Sequence, residues 1–165
     1  MIYIDTSVII SVLDPLDSEH SLAKRELSSI NDKIISELTL VELSTVLQRR
    51  MELSSKTKES GPLNIIDTFS KILYIQQEME LRLVAPRNLL MGSPIGNLNL
   101  PYLKAIELSS NIPMRTLDLL HLAYATEIGK SVDIKLDFLT RDNEFARYSD
   151  LIRESCGLEL IILGQ

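Results

Sequence analysis

The chain has 165 residues, of which 45% are hydrophobic and 24% are charged, a composition that fits one globular domain. Its net charge of -6 excludes a protein that coats nucleic acid through bulk positive charge. Carboxylates gathered around a divalent cation would still bind a phosphate. With one cysteine and two histidines, an intramolecular disulfide is excluded and a structural zinc site would lack ligands.

The sequence contains no membrane or export signal that we can identify. No apolar run approaches the roughly 18 to 20 residues of a membrane span. The first residues, Met1 to Asp5, have the pattern of a strand and not of a signal peptide. We therefore expect a cytoplasmic protein with no membrane association.

The first 50 residues alternate between strands and helices. Tyr3 and Ile4 predict a strand that ends near Asp5 and turns into a helix. Apolar residues at helical spacing predict a second helix over Ser18 to Ile30. A short strand at 33–35 follows, and Ser36 is the expected N-cap of a helix that runs to Arg50.

The middle of the chain reads as an extended helical segment at about 52–110. It comprises a polar loop at 52–62, a long helix at 63–83, an irregular stretch at 84–98 and a helix at 99–110. Two prolines and two glycines make the stretch at 84–98 irregular.

The last third repeats the alternation. Thr116 is the expected N-cap of a helix with Asp118 in its first turn, where the helix dipole favours negative charge. The other predicted elements are a strand at 136–140, a short helical piece at 144–148 and a strand at 158–163. Strands separated by helices predict a single α/β domain over 1–165, a three-layer α/β/α sandwich with a mainly parallel central sheet.

Four acids are candidate site residues, and two of them fall where such folds bind ligands, beyond the carboxyl ends of the strands. Asp5 and Asp142 follow two strands, Asp118 begins a helix, and Glu42 lies beside the apolar face of its helix. If these carboxylates converge they repel one another, and a divalent cation removes the repulsion. Oxygen ligands suit Mg²⁺ or Mn²⁺.

Phosphodiester cleavage is the natural use of such a site, because the ions activate water and hold the phosphate. Spacing alone leaves structural roles open: a helix cap for Asp118, a turn for Asp142, a strand end for Asp5 and a salt bridge for Glu42. Two further alternatives are a non-catalytic RNA- or protein-binding module and an aspartyl-phosphate phosphatase. The phosphatase would need a second acid where Ser7 stands.

The pattern as a whole resembles the PIN domain, especially its VapC-like branch of toxin ribonucleases. Four pieces carry the resemblance, in order: IYIDTSV at 2–8, SELTLVELSTVL at 36–47, TLDLLHLAYA at 116–125 and FLTRDNEF at 138–145. Each piece is short, but together they span most of the chain.

The resemblance implies a Mg²⁺/Mn²⁺-dependent endoribonuclease, often dimeric, that is neutralised in toxin pairs by a small antitoxin protein. The family's acids correspond to Asp5, Glu42, Asp118 and Asp142, which would be both catalytic residues and metal ligands. The family's site-shaping polar positions correspond to Thr6, Ser7 and Thr140.

The sequence departs from the family pattern in one respect. The 76 positions from Glu42 to Asp118 are more than we expect in a compact PIN domain. We expect the excess to form an altered clip over the RNA groove or an altered partner surface. Arg115 and Arg141 flank two of the acids and are the candidates for RNA contact. His121 can share a helix face with Asp118, and a core role with a satisfied hydrogen bond is the expectation for it.

Overall fold

The computed structural model describes residues 1–54, 65–87 and 89–165. Their central element is a sheet of five parallel strands in the order β3-β2-β1-β6-β7. The strands are β1 (Ile2–Ile4), β2 (Lys33–Ile35), β3 (Leu81–Leu83), β6 (Asp137–Thr140) and β7 (Glu159–Ile162). A separate antiparallel hairpin is formed by β4 (Leu90–Ser93) and β5 (Gly96–Asn99).

Helices connect the strands. They are α1 (Thr6–Leu13), α2 (His20–Ser29), α3 (Glu37–Ser54), α4 (Ile65–Glu78), α5 (Leu100–Ser109), α6 (Thr116–Val132) and α7 (Ser149–Cys156). A 3-10 helix, Phe145–Tyr148, precedes α7. None of the helices in the described ranges is both long and apolar enough to cross a membrane.

The alternation of side chains along the strands creates a core on each face of the sheet. Tyr3, which lies in register with Ile34 and Phe138, belongs to the core that is covered by α5, α6 and α7. The next residue, Ile4, faces the opposite core, which is built with α1, α2, α3 and α4. The predicted α/β/α sandwich is therefore confirmed.

The predicted helix at 63–83 is wrong at its C-terminal end. The helix stops at Glu78, and residues 81–83 form the edge strand β3. Glu80 adopts a left-handed backbone conformation with φ of 53°, which no helix interior allows. Leu81 then pairs with Lys33 and is buried, so tertiary pairing overrides the local helical pattern.

The stretch at 84–98, which we expected to be irregular, contains the β4–β5 hairpin. Its turn is stabilised by Ser93, whose hydroxyl donates to the carbonyl of Gly96 and accepts the backbone N–H of Ile95. Gly96 has φ of 122°, a conformation that suits glycine.

The segment at 52–110, which we expected to be an extended helical segment, is thus only partly helical. Residues 52–54 continue α3, whereas the rest of the predicted loop at 55–62 and the predicted helix start at 63 lie outside the described residues.

Candidate metal centre

The structure brings the four predicted acids to the carboxyl edge of the sheet. Asp5 directly follows β1, and Asp142 lies two residues after β6. Asp118 is in the first turn of α6, and Glu42 is in the second turn of α3. These acids form two groups, one linked by His121 and the other by Arg115.

Asp5 is held by two hydroxyl groups. Its Oδ2 accepts hydrogen bonds from Ser7 at 2.5 Å and from Thr140 at 2.7 Å. The Thr140 hydroxyl is fully buried and also accepts the backbone N–H of Asp142 at 3.1 Å. Thr140 therefore connects the first and fourth acids, and the predicted site-shaping role of Ser7 and Thr140 stays a prediction.

Glu42 faces the sheet from α3 and is only partly exposed. Its Oε2 accepts hydrogen bonds from the Thr6 hydroxyl and from Nε2 of His121, the latter at 2.6 Å. Burial alone would raise the pKa of Glu42, but the hydrogen bond and charge of His121, with the Thr6 hydroxyl, lower it below its usual value. Glu42 is therefore ionised at neutral pH.

His121 is buried and hydrogen-bonded, as predicted for a core residue, and it also contacts two of the predicted acids. Its ring is buried, as expected, but Nε2 also lies 3.6 Å from Oδ1 of Asp5. Burial would lower the pKa of His121, whereas the hydrogen bond to Glu42 and the surrounding acids raise it. The signal in the sequence was its position one helical turn after Asp118.

A second group of acids lies beside the first. Asp118, Asp142 and Glu144 each offer a carboxylate oxygen, and these atoms lie within 4.8 Å of one another. Glu144 was not among the predicted site residues, although it stands two positions after Asp142. Its backbone N–H donates to Oδ1 of Asp142 at 2.8 Å, in a tight turn that keeps both acids on the same side.

The carboxylate of Asp118 is partly buried beside other acids. Its Oδ2 is buried and accepts no hydrogen bond from the described residues. The pKa of Asp118 is raised to about 6, first by burial and then by nearby carboxylates, while the Arg115 guanidinium opposes the rise. The carboxylates that contribute belong to Asp142, Asp5 and Glu144. Asp5 belongs to the first group of acids, so the charge of that group also acts on Asp118.

Arg115 extends over the second group of acids. Its guanidinium lies 3.3 Å from Asp142, 3.1 Å from Glu144 and 3.6 Å from Asp118. The side chain is nevertheless 72% exposed, so it also faces solvent. This placement is compatible with the predicted contact to RNA, which stays a prediction.

Arg141 has a different environment. It forms ion pairs with Asp17 and, at 2.7 Å, with Glu19, in the segment between α1 and α2. It also donates to the Ser11 hydroxyl at 2.9 Å. These contacts hold the loop against the sheet edge, and the predicted RNA contact of Arg141 likewise stays a prediction.

The residues present fit a divalent metal ion. The donor atoms are carboxylate oxygens, which suit Mg²⁺ and Mn²⁺ better than zinc. The buried Oδ2 of Asp118 accepts no hydrogen bond from the described residues, and Nε of Arg115 lies 3.6 Å from it, so a metal ion could still satisfy this oxygen. The pKa of Asp118 is raised first by burial and then by the neighbouring carboxylates, and a bound cation would oppose both effects.

The fold and the acidic sheet edge define an α/β domain with a candidate metal centre at its strand ends. The family model described as PIN domain matches residues 2–151. The chain therefore belongs to the PIN domain family, and the resemblance found in the four sequence pieces is confirmed. None of the curated proteins matches the sequence.

Several solved structures share the fold. VapBC-1 from nontypeable Haemophilus influenzae is 16% identical, with 100% of both chains covered and a TM-score of 0.56. VapC20 from Mycobacterium tuberculosis, a toxin that cleaves the sarcin-ricin loop, is 17% identical, with 89% of this chain and 94% of that chain covered and a TM-score of 0.55. VapBC2 from Rickettsia felis, bound to a promoter DNA fragment, is 18% identical, with 98% of each chain covered and a TM-score of 0.54. At these identities the likeness shows a common fold.

Proposed function

We propose that this protein is a Mg²⁺- or Mn²⁺-dependent endoribonuclease that cleaves single-stranded or structured RNA. One observation carries the proposal: an acidic centre at the sheet edge leaves the buried Oδ2 of Asp118 without a hydrogen-bond donor among the described residues. Membership of the PIN domain family and the similarity to a VapC toxin that cleaves RNA support it.

The metal would be held by Asp5, Glu42, Asp118 and Asp142. When bound, it supplies an activated water and positive charge for the scissile phosphate. Ser7 and Thr140 orient Asp5, and Thr6 orients Glu42, so their hydroxyls shape the site without touching the substrate. Arg115, exposed at the rim, supplies a further positive charge for the RNA backbone.

The test is cleavage of a labelled RNA oligonucleotide by the purified protein with Mg²⁺, with Mn²⁺ or with EDTA. We expect cleavage with either metal, none with EDTA, and none by Asp5→Asn or Glu42→Gln. Asp137→Asn is the matched control, because Asp137 begins β6 and lies three residues before Thr140, away from the carboxyl edge. If the protein cleaves RNA in EDTA, and the Asp5→Asn variant cleaves it as well, the proposal is contradicted. A protein that binds RNA but does not bind Mn²⁺ would instead be the non-catalytic module.

We also propose that a small antitoxin protein neutralises this ribonuclease, as toxin and antitoxin occur together in the VapBC structures with a similar fold. The candidate docking surface is a groove of about 1000 Å³ between α3 and α4. Its exposed apolar side chains include Val41, Phe69 and Leu73. With an RNA substrate and an antitoxin partner, we expect this activity in the cytoplasm.

The docking surface can be tested by co-expression with the small protein encoded next to the gene. Phe69→Asp should abolish co-purification and inhibition while RNA cleavage is retained. Leu16→Asp changes another exposed apolar residue, outside the groove, and should leave inhibition intact. If the antitoxin inhibits Phe69→Asp and Leu16→Asp equally, it does not bind in this groove.

The second copy expected in a homodimer is proposed to bind at the β4–β5 hairpin. Residues 89–103 contain no charged side chain, whereas the chain as a whole carries a net charge of -6. Two copies would repel one another least where this uncharged segment lies. Leu90 and Ile95 are exposed on the hairpin, and a two-stranded hairpin is marginally stable unless it is covered.

A further inference from the structure

One imidazole contacts two of the proposed metal ligands. Nε2 of His121 lies 2.6 Å from Oε2 of Glu42 and 3.6 Å from Oδ1 of Asp5, and the side chain is 3% exposed. The histidine comes from α6, the glutamate from α3 and the aspartate from the end of β1. The ring therefore ties three elements together at the edge where the acids meet.

The hydrogen bonds on these two carboxylates are divided unevenly between their oxygens. Both bonds to Glu42, from Thr6 and His121, end on Oε2. Both bonds to Asp5 come from hydroxyl groups and end on Oδ2. Within the described part of the chain, no hydrogen bond reaches Oε1 of Glu42 or Oδ1 of Asp5. One oxygen of each carboxylate thus accepts two hydrogen bonds from the protein, whereas the other accepts none, although Nε2 of His121 lies 3.6 Å from Oδ1 of Asp5.

The other nitrogen of the ring is also held. Nδ1 of His121 lies 2.9 Å from the Tyr3 hydroxyl, which lies 2.7 Å from the hydroxyl of Ser36. All three side chains are buried. Rotation of the ring would break both hydrogen bonds in a region that water does not reach, so the orientation of Nε2 toward Glu42 is well defined.

We propose that His121 is a positioning residue whose Nε2–H holds Oε2 of Glu42, so that Oε1 of Glu42 and Oδ1 of Asp5 face the divalent cation. This inference rests on the proposed function, because it takes Glu42 and Asp5 as metal ligands. His121 acts through Glu42 and touches no substrate. A residue that only filled the core would be replaceable by an apolar side chain of similar volume without any effect on metal binding.

The test measures Mn²⁺ affinity by calorimetry together with kcat and KM for an RNA oligonucleotide. His121→Leu removes the donor to Glu42, and we expect Mn²⁺ affinity to fall by about 10- to 100-fold, the usual effect of removing such a supporting contact. We expect kcat to fall with it at fixed Mn²⁺, while KM for RNA stays within about twofold. His121→Gln keeps an N–H donor near the position of Nε2 and should recover most of the affinity.

Two further variants keep the test decisive if His121→Leu does not fold. His121→Asn retains a polar group toward Tyr3 but withdraws the donor from Glu42, so its Mn²⁺ affinity should resemble that expected for His121→Leu. Tyr3→Phe removes only the support of the ring and should weaken Mn²⁺ binding less. Tyr124→Phe, which changes another tyrosine in a buried position of α6, is the matched control and should bind Mn²⁺ normally.

The outcomes separate this inference from the proposed function. If the wild-type protein does not bind Mn²⁺, the metal-dependent function itself is wrong. If the wild-type protein binds Mn²⁺ and folded His121→Leu or His121→Asn binds it equally well, the positioning role is overturned. If affinity follows the presence of a donor to Glu42, in the order wild type, glutamine, then asparagine and leucine, the role is established.

Discussion

The guanidinium of Arg115 lies 3.3 Å from the carboxylate of Asp142, and it thereby places one of the chain's own positive charges among the acids. The same group lies 3.1 Å from Glu144. Arg115 thus neutralises part of the negative charge of these acids. A divalent ion bound at this edge would compete with Arg115 for the same carboxylates.

The first prediction follows from this competition. Arg115→Ala should tighten Mn²⁺ binding by about fivefold, because a like charge is removed from beside the cation. Calorimetry is the measurement, and Arg147→Ala, which removes an exposed positive charge at the nearby 3-10 helix, is the control. Equal or weaker Mn²⁺ binding by Arg115→Ala would show that Arg115 supports the metal site instead.

The same variant tests the contact to RNA. In an inactive Asp5→Asn background, Arg115→Ala should weaken RNA binding and reduce the slope of log affinity against log salt by about 1, as expected for the loss of one phosphate contact. An unchanged slope would mean that Arg115 serves the acids alone.

The second prediction concerns the stability of the metal-free protein. The pKa of Asp118 is raised to about 6, so the folded protein binds this proton more tightly than the unfolded chain does. Protonation of Asp118 therefore stabilises the fold. This stabilisation is complete below the pKa of the unfolded chain, about 4, and is lost as the pH rises through about 6. In EDTA, Asp118→Asn should therefore be more stable than wild type at pH 7.5, and the advantage should vanish near pH 4.

The expected gain is on the order of 1 kcal/mol, because water still reaches part of the site, and it corresponds to about 2 to 4 °C in Tm. Thermal unfolding at several pH values measures it. Adding Mn²⁺ should raise the Tm of wild type and not that of Asp118→Asn. A lower Tm for the variant in EDTA at pH 7.5 would show that the ionised carboxylate of Asp118 does not destabilise the folded protein.

Much of this site could be predicted from the sequence, because its acids stand at the ends of recognisable elements. Asp5 and Asp142 follow apolar runs that are buried on both faces of a parallel sheet, and such runs are read from local composition. The contact between His121 and Glu42 could not be predicted in this way, since 79 positions separate the two residues. Only the packing of α6 against α3 brings them together.

The edge strand β3 was missed for a related reason. Leu81 and Leu83 continue the apolar pattern of α4, and neither glycine nor proline marks the break. The break is made by the left-handed backbone of Glu80, whose side chain forms an ion pair with Lys33 at 3.3 Å. The pairing of β3 with β2 then determines the strand, and this is a tertiary effect.

The third prediction concerns the buried hydroxyl of Thr140. Thr140→Val preserves shape but removes the donor to Asp5 and leaves the backbone N–H of Asp142 without its partner. We expect a loss of about 1 to 3 kcal/mol in the free energy of unfolding, measured in urea. We also expect weaker Mn²⁺ binding, because Asp5 loses its orientation.

Thr126→Val is the matched control for this change. Its hydroxyl is also buried, but it donates to the carbonyl of Leu122 within α6, away from the acids. The control should lose about 0.5 kcal/mol or less and bind Mn²⁺ normally. If both variants behave alike, Thr140 is an ordinary core residue and does not support the site.

The fourth prediction concerns the proposed dimer. Ile95 at the tip of the hairpin is 79% exposed, and no charged residue occurs between positions 89 and 103. Ile95→Asp should therefore place a new negative charge in the interface on each copy and shift the protein to a monomer, as measured by sedimentation velocity. Two opposed aspartates in a desolvated contact repel one another, and burying each one without a partner is unfavourable.

Leu16→Asp makes the same change at a side chain that is 95% exposed in the turn before α2, and it should leave the dimer intact. A dimer that survives Ile95→Asp but dissociates with Leu16→Asp would place the interface at the α1–α2 turn, and a wild-type protein that sediments as a monomer would contradict the dimer itself.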